Sequence, residues 1–146
     1  MGKCAIAISL MLFSAAALAQ NSRPRRKIPC ETFAAADACY WTHGRLRFCC
    51  GTPAVRLWKI GTHRVLGVFS GPQAFSPTKG EILDGDNEHP ELPKTVEDVL
   101  TRFRARSKDN GLPEIFGDFE VCPLEPERPK TMQAVCIQSA KNLVAK

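Results

Sequence analysis

The residues best suited to chemistry in this sequence are Trp41, His43, Arg45, Arg47, Arg56, Trp58 and Arg64. Indole rings offer flat stacking platforms, and guanidinium groups donate several hydrogen bonds to a phosphate or a carboxylate. Spaced at two-residue intervals, such side chains would share one side of neighbouring strands. The chemistry they imply is recognition of an anion rather than turnover. The competing reading is a solvated strand face whose arginine stems lie over the tryptophans for packing.

Two other groups compete with this one. Asp84, Asp86, Asn87, Glu88 and Glu91 crowd an acidic stretch that superficially offers calcium its oxygens. The glycine and glutamate positions of a calcium-binding loop are missing, so the stretch reads as solvated and no metal is expected. For catalysis, Ser70, Cys49 and Cys50 could act as nucleophiles, with His43, His63 and His89 as bases and Asp118 and Glu120 as acids. No nucleophile elbow, zinc-helix, phosphate-loop or dinucleotide glycine pattern gathers them. The sequence therefore leans against an enzyme and implies no cofactor.

The elements that must position the Arg and Trp set lie between Cys39 and Ser70. This stretch holds both tryptophans and two of the three histidines. From Tyr40 to Cys49, Thr42, Leu46 and Phe48 alternate with Trp41, His43, Arg45 and Arg47, the period of a strand. Gly51-Thr52-Pro53 interrupts it. Ala54 to Ile60 resumes, with Val55 and Leu57 opposed to Arg56 and Trp58. Gly61-Thr62 turns the chain again, and Arg64 to Phe69 forms a third strand, where Gly67 suggests a bulge or a barrel corner. Short turns predict antiparallel pairing of the three. Ser70 to Pro93 is a long proline- and glycine-bearing loop. Thr95 to about Arg106 predicts a helix, capped by Thr95, with Val96, Val99, Leu100 and Phe103 as its apolar stripe. Ile115 to Leu124 and Met132 to Gln138 predict two more strands.

Residues 1–19 carry Lys3, an uncharged apolar run from Ala5 to Leu18, and the small-x-small pattern Ala17-Leu18-Ala19. This is the pattern of a secretory signal peptide, which places the protein in the periplasm or outside the cell. Lys3 accounts for one unit of the formal charge of +5. The remaining excess suits an anionic surface, and no second long apolar run follows. Residues 20–29 are basic and polar and predict a flexible leader. Residues 30–146 then form a single β-rich domain stapled by disulfides. Its cysteines are Cys30, Cys39, Cys49, Cys50, Cys122 and Cys136, an even set in an oxidising compartment. Cys122 and Cys136 fall on the same side of two hairpin neighbours, which predicts a Cys122–Cys136 bridge. A Cys30–Cys39 bridge would close a small loop. Cys49 and Cys50 are adjacent, where a direct bridge is strained, so they pair elsewhere or leave a thiol able to link two chains.

Strand-strand-strand, helix, strand-strand predicts a mainly-β fold with one helix, a small five-stranded antiparallel barrel in the order of the OB-fold. The alternative is an open antiparallel sheet with the helix across one face. His43-Gly-Arg-Leu46, Arg56-Leu-Trp-Lys-Ile-Gly-Thr-His-Arg64, Gly117-Asp-Phe-Glu-Val-Cys-Pro-Leu124 and Met132-Gln-Ala-Val-Cys-Ile137 resemble a group of small exported bacterial proteins with no assigned function. The resemblance implies secretion and a single domain, and it supplies no catalytic residue. The resulting expectation is a binding module for an anionic envelope component or another exported protein, since export argues against nucleic acid. The alternatives are a secreted enzyme inhibitor presenting Ser70–Pro93, a structural envelope protein, and a hydrolase without a local motif.

Overall fold

The computed structural model describes residues 30, 38–49, 51–72, 75–76, 81–82, 89–107 and 111–146. The signal-peptide pattern, the basic leader, the alanine-rich segment 31–37, Cys50 and the acidic residues 84–88 lie outside the described residues. In chain order the elements are β1 (Tyr40–Phe48), β2 (Val55–Lys59), β3 (Val65–Val68), β4 (Phe75–Ser76), β5 (Glu81–Ile82), α1 (Lys94–Arg106), β6 (Ile115–Pro123) and β7 (Gln133–Ala145). Five of them close into a barrel in the order β1-β2-β3-β7-β6, with β6 pairing back onto β1. This is the expected mainly-β barrel of OB-like order, and closure rules out the open sheet. The expectation of a wholly antiparallel barrel needs one correction, because β3 and β7 run parallel. A ring with an odd number of strands cannot alternate direction all the way round, so one parallel seam is forced.

Alternation along the strands sorts the side chains as their types require. Leu46, Leu57, Leu66, Ile115, Phe119, Val121, Val135 and Ile137 point inward and are fully buried. No register shift marks a bulge at Gly67. Gly67 pairs regularly with Arg56 and Ala134. The tight place is the Gly44–Gly117 pair across β1 and β6. A β-carbon on Gly44 would come within 2.6 Å of Leu57 Cδ1, and one on Gly117 within 2.5 Å of Leu143 Cδ2. Two opposed glycines thus make room for two leucines. The β6–β7 register slips beside Gly117, between Phe116 and Asp118, and Asn142 opposite adopts a φ of 55°. Such a bulge bends the strand and lets β7 run on past Gln138, where it had been expected to end.

The helix packs on β7 and buries Val96, Val99 and Leu100 in the barrel core. Thr95 is not its cap. The N-cap position is Pro93, whose carbonyl accepts the Val96 and Glu97 amides. The Thr95 hydroxyl, already on the first turn, donates instead to the Ala140 carbonyl at 3.2 Å and ties α1 to β7. The long loop is also more organised than expected. Its ends are clasped by the Glu91 amide donating to Ser70 Oγ at 2.7 Å, and β4 and β5 pair as a short antiparallel ribbon within it.

Among the described residues two disulfides are present, Cys30–Cys136 and Cys39–Cys122. Cys122 and Cys136 are direct partners in the β6–β7 register, as the spacing implied, but they are not bonded to each other. Each reaches the segment ahead of β1 instead, with Cα separations of 4.1 Å from Cys39 to Cys122 and 5.5 Å from Cys30 to Cys136. The reason is the β1–β6 pairing, which starts at Tyr40 opposite Val121 and so delivers Cys39 beside Cys122. Disulfides of this kind persist in oxidising, non-cytoplasmic surroundings. No helix among the described residues is long and apolar enough to cross a membrane.

Candidate functional site

The outward side chains of β1 and β2 form the first part of the site. Arg45 stands opposite Trp58, and Arg47 opposite Arg56. The Arg45 and Arg47 guanidiniums lie 5.2 and 5.9 Å from the centre of the Trp58 ring, within cation–π range. Trp58 is half-buried beneath them. Both arginines also reach Glu114, at 3.5 Å from Arg45 and 2.9 Å from Arg47. Arg56 donates through Nε to the Pro53 carbonyl at 3.2 Å. Two guanidiniums therefore lie over one indole, and one of them, Arg47, faces Arg56 across the strand pair. Two arginines directly opposite on paired strands repel one another unless an anion lies near. Glu114 offsets part of that repulsion from the Arg47 side.

The second part lies further along β1, where it meets β6 and β7. Trp41 stands opposite Glu120, His43 opposite Asp118, and Asp118 opposite Lys141. Trp41 is 46% exposed, with the Lys141 ammonium 4.2 Å from its ring centre. His43 Nδ1 donates to Asp118 Oδ1 at 2.9 Å, and Asn142 Nδ2 donates to Asp118 Oδ2 at 2.7 Å. These hydrogen bonds, Asn142 first and His43 second, hold the Asp118 carboxyl below its ordinary pKa of 3.8. Nearby, Ser139 donates to Glu120 at 2.6 Å. A histidine oriented by a carboxylate resembles half of a catalytic arrangement. The Asp118 bond makes Nδ1 the donor, and the His43 side chain is 58% exposed on the outer wall.

Arg64 does not join this wall. Its position pairs with Lys59 rather than with Trp58, which puts it one step out of phase. Its guanidinium meets Glu127 in the β6–β7 connection at 2.7 Å. That connection and the one between β1 and β2 also meet over β3. A β-carbon on Gly67 would lie 2.9 Å from Pro53 Cγ and 3.5 Å from Met132 Cε. In barrels of this order the face of the second and third strands between these two connections is a common ligand cleft. Here Pro53 and Met132 close over β3 at Gly67, while the β2 side chains Arg56 and Trp58 stay partly exposed beside β1.

Sequence reasoning placed Trp41, His43, Arg45, Arg47, Arg56 and Trp58 correctly outward and missed their partners. Glu114 precedes β6 and follows Pro113, with no periodicity to mark its direction. Lys141 and Asn142 fall in the part of β7 whose polar composition hid the strand. Phe116, which joins the wall opposite Arg45, was visible as an aromatic at an outward position. Among the described residues no group of three or more His, Cys, Asp or Glu side chains could hold a metal ion. No protein-family model, curated protein or solved structure matches this chain.

Proposed function

We propose that this protein is an exported, non-enzymatic binding module that takes an anionic ligand on the Arg and Trp wall of β1 and β2. The observation that carries the reading is the Arg47–Arg56 opposition beside Arg45 and Trp58, where Glu114 meets Arg45 and Arg47. The cluster keeps a local excess of positive charge next to an aromatic surface. A phosphate- or carboxylate-bearing envelope component, or an acidic exported protein, has the complementary chemistry. Export is supported by the N-terminal sequence pattern and by disulfides suited to an oxidising compartment.

Replacement of Arg45 and Arg56 together by alanine tests this. A hydrogen bond to a charged group is worth roughly 1.5–3 kcal/mol, so loss of such contacts should weaken binding of a polyphosphate probe by about tenfold or more. The melting temperature should hold, since both side chains lie on the outer wall. Glu114→Gln should act in the opposite sense and raise retention on a phosphate resin, because it removes the internal counter-charge. Unchanged retention in both variants would remove the proposal.

A further inference from the structure

The two disulfides meet in one cluster near the Pro123 end of β6. Cys30, Cys122 and Cys136 are buried together, with Cys39 packed against them and itself half-buried. Cys122 and Cys136 stand directly opposite each other in the β6–β7 register, yet each is bonded to the segment ahead of β1. Two residues further along, the Leu124 amide donates to the Ala134 carbonyl, so Cys122 and Cys136 form a hydrogen-bonded type of antiparallel pair. Cα atoms in such a pair are about 5.5 Å apart, in the middle of the range that a disulfide spans. Opposed residues also point to the same side of a sheet. Strand pairing therefore holds Cys122 and Cys136 where a second arrangement, Cys122–Cys136 with Cys30–Cys39, needs them.

Passing from one arrangement to the other is an exchange without net oxidation or reduction. It needs one thiolate to start, and it returns that thiolate at the end. Of the four cysteines only Cys39 is partly open to solvent, so an incoming thiolate meets its sulfur first. The incoming sulfur bonds to Cys39 Sγ and the Cys39–Cys122 bond breaks, its electron pair leaving on Cys122. The Cys122 thiolate then bonds to Cys136 Sγ across the strand pair and expels Cys30 as a thiolate. Cys30 in turn bonds to Cys39 Sγ and expels the original thiolate. Two disulfides exist before and after, and the thiol is not consumed. We propose that these four cysteines form an exchangeable relay of this kind, entered at Cys39 by a thiol-bearing molecule. In the structure Cys30 ties the chain ahead of it to β7. After the exchange that chain is tied only to Cys39, just ahead of β1, and the Cys122–Cys136 end of the β6–β7 hairpin loses its Cys30 anchor.

The test incubates the oxidised, folded protein with reduced glutathione at mildly alkaline pH, blocks thiols with N-ethylmaleimide, and digests with trypsin without reduction. Cleavage leaves Cys30 and Cys39 together on peptide 28–45, with Cys122 on 109–130 and Cys136 on 131–141. The pairing in the structure joins all three peptides. The exchanged pairing gives 28–45 closed on itself and a separate 109–130/131–141 pair. This second pattern should appear as a minor species of about 1–10%, at a rate proportional to glutathione and without new maleimide-labelled cysteines on these peptides. Cys30→Ser with Cys39→Ser should form the Cys122–Cys136 bridge in a glutathione redox buffer. Should that variant fail to fold, the exchange in the unmodified protein decides the matter. In Cys30→Ser with Cys136→Ser, glutathione should be captured on peptide 28–45 rather than on 109–130, which locates the entry point at Cys39. The proposal is overturned by a three-peptide pattern that glutathione leaves unchanged, or by reduction of both bridges to thiols with no 109–130/131–141 pair. A folded Cys30 and Cys39 variant that keeps Cys122 and Cys136 as thiols, or glutathione captured on Cys122, would overturn it equally.

Discussion

Asp118 shows how much one residue of this wall depends on neighbours that only the fold supplies. Its carboxylate accepts from Asn142 on β7 and His43 on β1, and both bonds favour the ionised form. A carboxyl whose pKa is depressed on folding stabilises the folded state above its unfolded pKa, and that contribution fades as pH falls through the folded value. The Asp118 contribution is therefore complete at neutral pH and is lost only on acidification below 3.8. Asn142→Gly removes the largest cause while tolerating the φ of 55°. In a carboxyl carbon titration, Asp118 should then titrate at a higher pH than in the parent protein, and an unchanged midpoint would show that Asn142 contributes nothing. Gly117 is the opposite case, a residue defined by lack of a side chain. A β-carbon there meets Leu143 Cδ2 and also the Lys141 and Asn142 carbonyls at 3.0 and 3.2 Å, and backbone cannot rotate away as a side-chain end can. Gly117→Ala should cost about 1–3 kcal/mol in urea unfolding. The outward alternation of Trp41, His43, Arg45 and Arg47 was legible because a strand has period two. The partners Glu114 and Asn142 were not, because their positions depend on which strands become neighbours.

At the scale of elements, local patterns announced each barrel strand and the helix, and contacts between elements set their limits. The β7 sequence from Ser139 to Asn142 is polar and reads as the end of a strand, yet pairing with β6 carries it on to Ala145. Thr95 has the chemistry of a cap, but Pro93 occupies that place and the threonine hydroxyl serves the helix–barrel contact. The loop from Ser70 to Glu91 shows the same effect. Proline and glycine content marked it as a connection, and nothing local showed that the buried Ser70 hydroxyl would accept the Glu91 amide and bring its ends together. Ser70→Ala withdraws that acceptor from a part-buried site. It should cost about 1 kcal/mol and speed hydrogen exchange at the Glu91 amide. An unaltered exchange rate there would mean that the loop ends are held by other contacts.

For the whole molecule, hydrogen-bonded closure and the two disulfides constrain the chain in different ways. Closure could be read from element order, whereas disulfide pairing could not, because it depends on where the segment ahead of β1 lies once β1 has paired with β6. The bridges span 106 and 83 residues and are nested, Cys39–Cys122 inside Cys30–Cys136. Cross-links stabilise largely by restricting the unfolded chain, and the effect grows with the logarithm of the loop closed. With one bridge intact, the second closes only the short extra path formed by residues 30–39 and 122–136. Loss of either bridge alone, by paired serine substitution, should therefore cost about 3 kcal/mol. Loss of the remaining bridge then opens a long loop and should cost about 4–5 kcal/mol. The quadruple serine variant should thus lose more than the two single-bridge variants added together, enough to exhaust much of the stability of a domain this size. Urea titration of the three variants under identical conditions distinguishes the two accounts. A quadruple loss equal to or smaller than the sum would mean that the bridges act on the folded barrel itself, by holding the segment ahead of β1 against β6 and β7, rather than on the unfolded chain.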